Sequence, residues 1–406
     1  EESAVSVLSP QSSVLNGLVA LVDKSLLRQE EGTDGAPRFM MLETVREYAL
    51  ERLVASGEQP ALRQQHALYY LAAAIDVGQE GEPGVMEHSL VVEIDNLRTA
   101  LRWALDQREA EIALRLSTVL YYFHQAVQYS EGRAWLEASL AMCDAADASP
   151  ATKATRTEAL EAASWAAVHM GEYDRAQMHF AARLAESKDL GDLANMALAQ
   201  RSLGWVAQLR SNLVDAQNWI EQSLALCREA HDAEGIAWSL HDLGYLEFVR
   251  GELAHAEQLL AESLALMRDQ KNEHGIIRAC LGLGHVARAQ GQLARATTWY
   301  RESITSTQHS FYFARYIIPA LEGLAAVMAA QGHVERAARL FGAAETLREV
   351  MGVPVHPVER ANYKRDVAAT QAQLDEAAFA AARAAGRTLT LEQVTVEALS
   401  NDAAQE

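Results

Sequence analysis

The chain has 406 residues, half of them apolar and only 8 of them Pro, so it is long enough for two or three folded domains and too apolar to stay disordered. Lys and Arg number 35 against 55 Asp and Glu, a net charge of −20 that argues against direct nucleic-acid binding by this segment and against an anionic membrane. Ala and Leu dominate while Val/Ile/Thr runs are scarce, which predicts an all-α chain.

In chain order, Val14 to Ser25 reads as an amphipathic helix and Leu26 to Glu31 as a short strand. The cluster from Gly32 to Pro37 is a turn, Arg38 to Leu42 the returning strand, and Glu43 to Val54 a second helix. Helix, hairpin, helix is the tail end of a winged-helix unit. Residues 1–58 are therefore expected to form a partial winged-helix or adapter segment, and 59–150 a helical linker with one divergent repeat. In that repeat Tyr129, Gly132, Leu136 and Ser139 take second-helix places.

From 151 to 357 the chain repeats. The segments starting at Ala197, Ala237 and Ile277 align over 40 residues without a gap, and neighbours on both sides extend the frame to five units. Leu203-Gly204, Leu243-Gly244 and Leu283-Gly284 set a core Leu beside a Gly where a second helix can approach closely. Gly171, Ser211, Gly251, Gly291 and Gly332 fall in the turn between the two helices of each unit. Ala176, Ala216, Ala256, Ala296 and Ala337 open the second helix. Phe180, Ile220, Leu260, Tyr300 and Phe341 follow four residues later on the same face. Units of this kind bury their apolar faces only by stacking, which predicts a curved helical-repeat array. Residues 358–406 are expected to supply capping helices and a tail.

These small and aromatic positions resemble the tetratricopeptide (TPR) pattern in its long, near-40-residue variety, which implies an all-α, right-handed helical-repeat superhelix. A second resemblance is broader. The stretches LVDKSLL (from Leu21), RFMMLETVREYALERL (from Arg38), EIDNLRTALRWAL (from Glu93) and SEGRAWLEASL (from Ser130) stand in an order similar to that of large bacterial signal-transduction ATPases of the LuxR and STAND type. RLFGAAETLREVMGVPVHPVERANY (from Arg339) and AARAAGRTLTLEQVTVEAL (from Ala381) continue it. The resemblance implies a nucleotide-binding domain before the winged helix, a TPR sensor, and often a helix-turn-helix after it. It also implies an effector held in the superhelix, as the family's maltose-regulon activator holds a sugar. Two departures stand out. No GxxxxGK[ST] loop occurs, so ATP hydrolysis is not expected here. Met41-Leu42-Glu43 stands where relatives often carry Met-His-Asp, so the phosphate-sensing His is missing. The chain starts without Met and reads as a piece of something longer.

No catalytic residues, cofactor or metal site are expected: there is no HExxH, CxxC or GxSxG, and His231 and His274 are placed in turns between repeats. Cys143, Cys227 and Cys280 read as buried free thiols of a cytoplasmic protein, and no run of about 18 apolar residues predicts a membrane span. A binding surface is expected instead. The first helices line the concave side, where Trp165, Trp205, Tyr245 and His285 fall in one column, flanked by Arg201, His241, Asp242 and Arg278. Its occupant would be a protein, peptide or small-molecule effector, with self-association through the array as a further possibility. The alternatives are a scaffold that docks a cyclase or kinase domain, and a free-standing peptide-binding adaptor.

Overall fold

The computed structural model describes residues 10–31, 37–80, 93–124, 129–143, 149–307, 316–351, 355 and 360–400. Among these are 19 helices and one two-stranded sheet. Helix α1 (Pro10–Asp23) leads into strands β1 (Leu27–Glu31) and β2 (Pro37–Met41), which pair antiparallel with Leu27 opposite Met41 and Glu31 opposite Pro37. The expected tight turn falls on residues 32–36, outside the described residues. Helix α2 (Glu43–Ser56) buries none of its residues and leaves Tyr48, Leu50 and Val54 exposed. Gly57 ends it in the left-handed region.

Helices α3 (Gln59–Glu80), α4 (Ile94–Gln107), α5 (Ala110–His124) and α6 (Tyr129–Met142) carry the chain into the array. Leu97, Leu101, Leu116 and Leu120 form the core there. Five helix pairs follow: α7 (Pro150–His169) with α8 (Tyr173–Leu190), α9 (Leu193–Leu209) with α10 (Leu213–Glu229), and α11 (Ala233–Arg250) with α12 (Leu253–Asp269). Then come α13 (Glu273–Ala289) with α14 (Leu293–Thr307), and α15 (Ile317–Ala330) with α16 (Val334–Met351).

The close helix crossings arise where the sequence places its small residues. A methyl group on Gly204 would fall 2.6 Å from Ile220, one on Gly244 2.8 Å from Leu260, and one on Gly284 2.6 Å from Tyr300. The glycine of each first helix thus leaves room for the large apolar residue of its own second helix. The five opening alanines are fully buried behind them. A second device recurs with the same spacing. Ser223 Oγ donates to the Ala197 carbonyl (2.7 Å), Ser263 to Ala237 (2.7 Å) and Ser303 to Ile277 (3.0 Å). Ser139 does the same to Ala113 (3.2 Å), so α5 and α6 are a divergent member of the series. In the α7–α8 unit the place is taken by Arg183, buried and paired with Glu161 and Asn195.

Successive first helices touch one another, α9 with α11, α11 with α13 and α13 with α15, whereas successive second helices do not meet to that extent. The array therefore curves with the first helices on its inner side. Helices α17 (Arg360–Gln371), α18 (Glu376–Arg387) and α19 (Leu391–Leu399) close the chain. α18 crosses α16 backbone to backbone, because Gly342 faces the Arg383 carbonyl and Gly386 faces that of Arg339. α17 packs on α15 and α16 and reaches further along the inner side, where Arg288 of α13 pairs with Asp366 at 2.9 Å. Arg360 at its start comes close enough to Tyr173 of α8 for its charge to oppose the burial that raises that phenol.

Candidate functional site

Positions repeating every 40 residues return to the same place on each first helix, so the inner side is built of columns. Trp205 of α9 and Tyr245 of α11 meet with ring centres 6.1 Å apart. Tyr245 continues to Phe248 (5.9 Å), and Phe248 stacks on His285 of α13 (5.9 Å, 20° between planes). Three successive first helices thus share one aromatic lane, and its ring at α13 is anchored from behind. His285 Nδ1 and the buried Tyr300 hydroxyl are hydrogen-bonded at 2.9 Å. Trp165 meets Phe180 of its own repeat edge-on at 5.6 Å, and packs against the same apolar cluster as Trp205.

Beside this lane lies a charged cluster. Trp238 of α11, 7% exposed, has Arg201 of α9 over its ring at 5.2 Å and Arg278 of α13 at 5.4 Å, while Arg278 also covers Trp205 at 5.3 Å. Beneath them Asp242 Oδ1 is 2.8 Å from His241 Nδ1. Asp242 Oδ2 is 3.7 Å from Arg201 Nη1, and its Oδ1 is 3.9 Å from Arg278 Nη2. Burial alone would push the Asp242 carboxyl up, but the His241 hydrogen bond and the two guanidinium charges outweigh it and hold it below the usual carboxylate range. Burial, reinforced by the Arg278 charge, pushes His241 down. The pair is therefore a carboxylate beside a neutral imidazole that donates its Nδ1–H.

Of the eight residues expected in the groove, seven come together on α9, α11 and α13; Trp165 belongs to the unit before. Two of the seven lie deeper than the sequence reading placed them. His241 and Asp242 are each 3% exposed and form the floor under Trp238, because α11 is central in the array and packed on both sides. His274 also needs correcting. It is inside α13 rather than in a turn, with its Nε2 2.8 Å from the Tyr316 hydroxyl and its ring 5.0 Å from that of Trp238. His231 does sit in a turn, at φ 53°. Trp238 and Phe248 were missed. Counting the 40-residue column through Arg278 leads straight to Trp238, and the column through Arg288 to Phe248.

The three cysteines are buried and free. Among the described residues no group of three or more His, Cys, Asp and Glu comes together to hold a metal ion, and no helix is long and apolar enough to cross a membrane.

Comparison with known proteins agrees with this architecture. Residues 195–269 match the family described as Tetratricopeptide repeat, and residues 2–54 match the Winged helix-turn-helix domain. Over 132 residues the chain is 37% identical to proteins of Mycobacterium tuberculosis and Mycobacterium bovis provisionally named HTH-type transcriptional regulators. That match takes in 32% of this chain and only 15% of the relatives' length. Among solved structures, apo RapI superposes with a TM-score of 0.55 at 12% identity, covering 70% of this chain and 98% of that one. A STAND protein with a tetratricopeptide repeat sensor from Pyrococcus horikoshii superposes with a TM-score of 0.53 at 15% identity, covering 87% of this chain and 47% of its own. At such identities the likeness is one of fold. The chain is a winged-helix segment followed by a TPR-type helical array, with a transcriptional-regulator homologue.

Proposed function

We propose that this chain is the non-catalytic sensor and interaction module of a bacterial signal-transduction regulator, which holds a peptide, protein or small-molecule effector against its inner face. The observation that carries the reading is the aromatic lane. Trp205, Tyr245, Phe248 and His285 run across three neighbouring helices, each ring only partly buried. Rings placed side by side on a concave surface offer apolar area at small entropic cost. Coupling of the occupied groove to a nucleotide-binding or DNA-binding domain elsewhere in a longer protein belongs to this reading. It is supported by the winged-helix match at residues 2–54 and by the likeness to a STAND sensor.

The test is a thermal-shift screen of the purified chain against peptide and metabolite libraries, repeated on Tyr245→Ala. An effector that raises the melting temperature of the parent chain but not of the folded variant supports the groove. Hits that stabilise both equally would move the binding surface elsewhere.

A further inference from the structure

The cluster around Trp238 has a chemistry the aromatic lane does not share. Arg201 and Arg278 come from helices on either side of α11 and converge on one carboxylate, Asp242. Both contacts, at 3.7 and 3.9 Å, are ion pairs too long to be hydrogen bonds. Among the described residues neither guanidinium donates a hydrogen bond, although each carries five N–H donors. Their positions are nonetheless fixed. Each lies over the Trp238 indole, Arg278 over that of Trp205 as well, and their side chains keep 18% and 21% of their surface open. Asp242 is the carboxylate within ion-pair distance of the two guanidinium groups, the neutral His241 adds no charge, and Glu234 borders the cluster by accepting from the Trp238 indole N–H at 3.4 Å. The two guanidinium groups are therefore held in place with their donors unused.

We infer that Arg201 and Arg278 form a carboxylate-binding subsite of the groove, with Trp205 and Tyr245 taking the apolar body next to that carboxylate. The inference deepens the effector-binding reading and rests on it. A carboxylate suits the site better than a phosphate. It is planar, as the guanidinium fork requires, and brings one charge instead of two past the carboxylates of Asp242 and Glu234. A phosphate dianion would meet an under-compensated site in a chain of net charge −20. Asp242, held ionised beneath, keeps the two guanidinium groups in place without saturating their donors.

The carboxylate has two possible sources, a peptide or a small acid, and the probes separate them. The folded chain is titrated with arrays of random hexapeptides ending in a free carboxylate or in an amide, and with benzoate beside benzamide. At least tenfold tighter binding of free-acid peptides over amides assigns the subsite to a peptide terminus. A benzoate preference without a peptide preference assigns it to a small acid. In either case Arg201→Gln and Arg278→Gln each remove about tenfold of the acid's affinity and leave the uncharged probe unchanged. Arg278→Met keeps an apolar cover on both indoles and shows the same loss, which separates donor chemistry from packing. Equal affinity for acid and uncharged probes, or acid affinity unmoved by Arg→Gln, overturns the subsite and leaves the groove reading standing. Absence of binding by every probe overturns the subsite, and the thermal-shift screen on the parent chain and Tyr245→Ala decides the groove reading separately.

Discussion

Trp238 and Trp205 share Arg278 as a neighbour but differ in depth, and replacing them separates packing from recognition. Trp238 is 7% exposed at the centre of the array, so Trp238→Ala should cost about 3–5 kcal/mol through the cavity it leaves. Trp205 is only half-buried, so Trp205→Ala should cost less, roughly 1–3 kcal/mol, with loss of effector affinity in a chain that still folds. Paired urea melts and binding titrations check both; equal stability losses at the two positions would contradict the difference in burial. Acid acts through two histidines of the inner side, the partly buried His285 and the buried His241. Burial, helped by the Arg288 charge, pushes His285 down to about 3, and His241 is lowered as well. Both stay neutral in the fold but take up a proton in the unfolded chain below the usual value of 6.5. The unfolded state then binds more protons, so stability is present above that value and is lost as pH falls from 6.5 toward 3. Urea melts at pH 7 and pH 5 should show the loss, and His285→Gln should flatten it. Trp205, Tyr245 and His285 of the lane were legible because they recur every 40 residues, whereas Phe248 was not, its column holding Gln208 and Arg288 on either side. The depth of His241 and Asp242 was not, since it depends on packing from both neighbouring repeats.

At the scale of the helix pair, the glycines and the serine ladder make different predictions. Gly251 closes α11 at φ 88° with open space around its α-carbon, so Gly251→Val strains the backbone without a clash. It should cost about 1–3 kcal/mol. Gly284→Val instead drives a side chain into Tyr300, which Gly323 confines on its other side, and should cost more. Thermal melts of the two variants rank them. Ser263→Ala removes one rung of the ladder and should cost about 0.5–1.5 kcal/mol, with the same substitution at Ser223 giving a similar value. The glycine and alanine columns could be read from sequence, because close approach permits few residue types. The serine rungs could not, since Ser fits equally well on a solvated helix face. The N-terminal helices and strands were also readable, their residues being local signals. That α2 buries nothing is a tertiary fact no local pattern carries. Its amides should exchange with solvent far faster than those of α11.

Across the whole molecule each repeat rests chiefly on its neighbours, so disruption should spread along the chain instead of striking it at once. The contact of Arg288 with Asp366 departs from that pattern, joining residues 78 apart through α17. The same helix carries Arg360 to the vicinity of Tyr173 on the first pair of the array. α17 buries only Thr370 fully, and Tyr363 and Val367, partly buried, rest on the core of the last repeat, so its hold on α13 is the polar contact. A curved stack joined only side to side behaves as a spring whose pitch is free to breathe. A bar tied across its inside turns the spring into a buckled hoop. Asp366→Asn should unfasten it, lengthening the molecule in solution scattering while barely moving the melting temperature. An unchanged scattering profile would mean that the stack sets its own pitch and α17 merely rides on it.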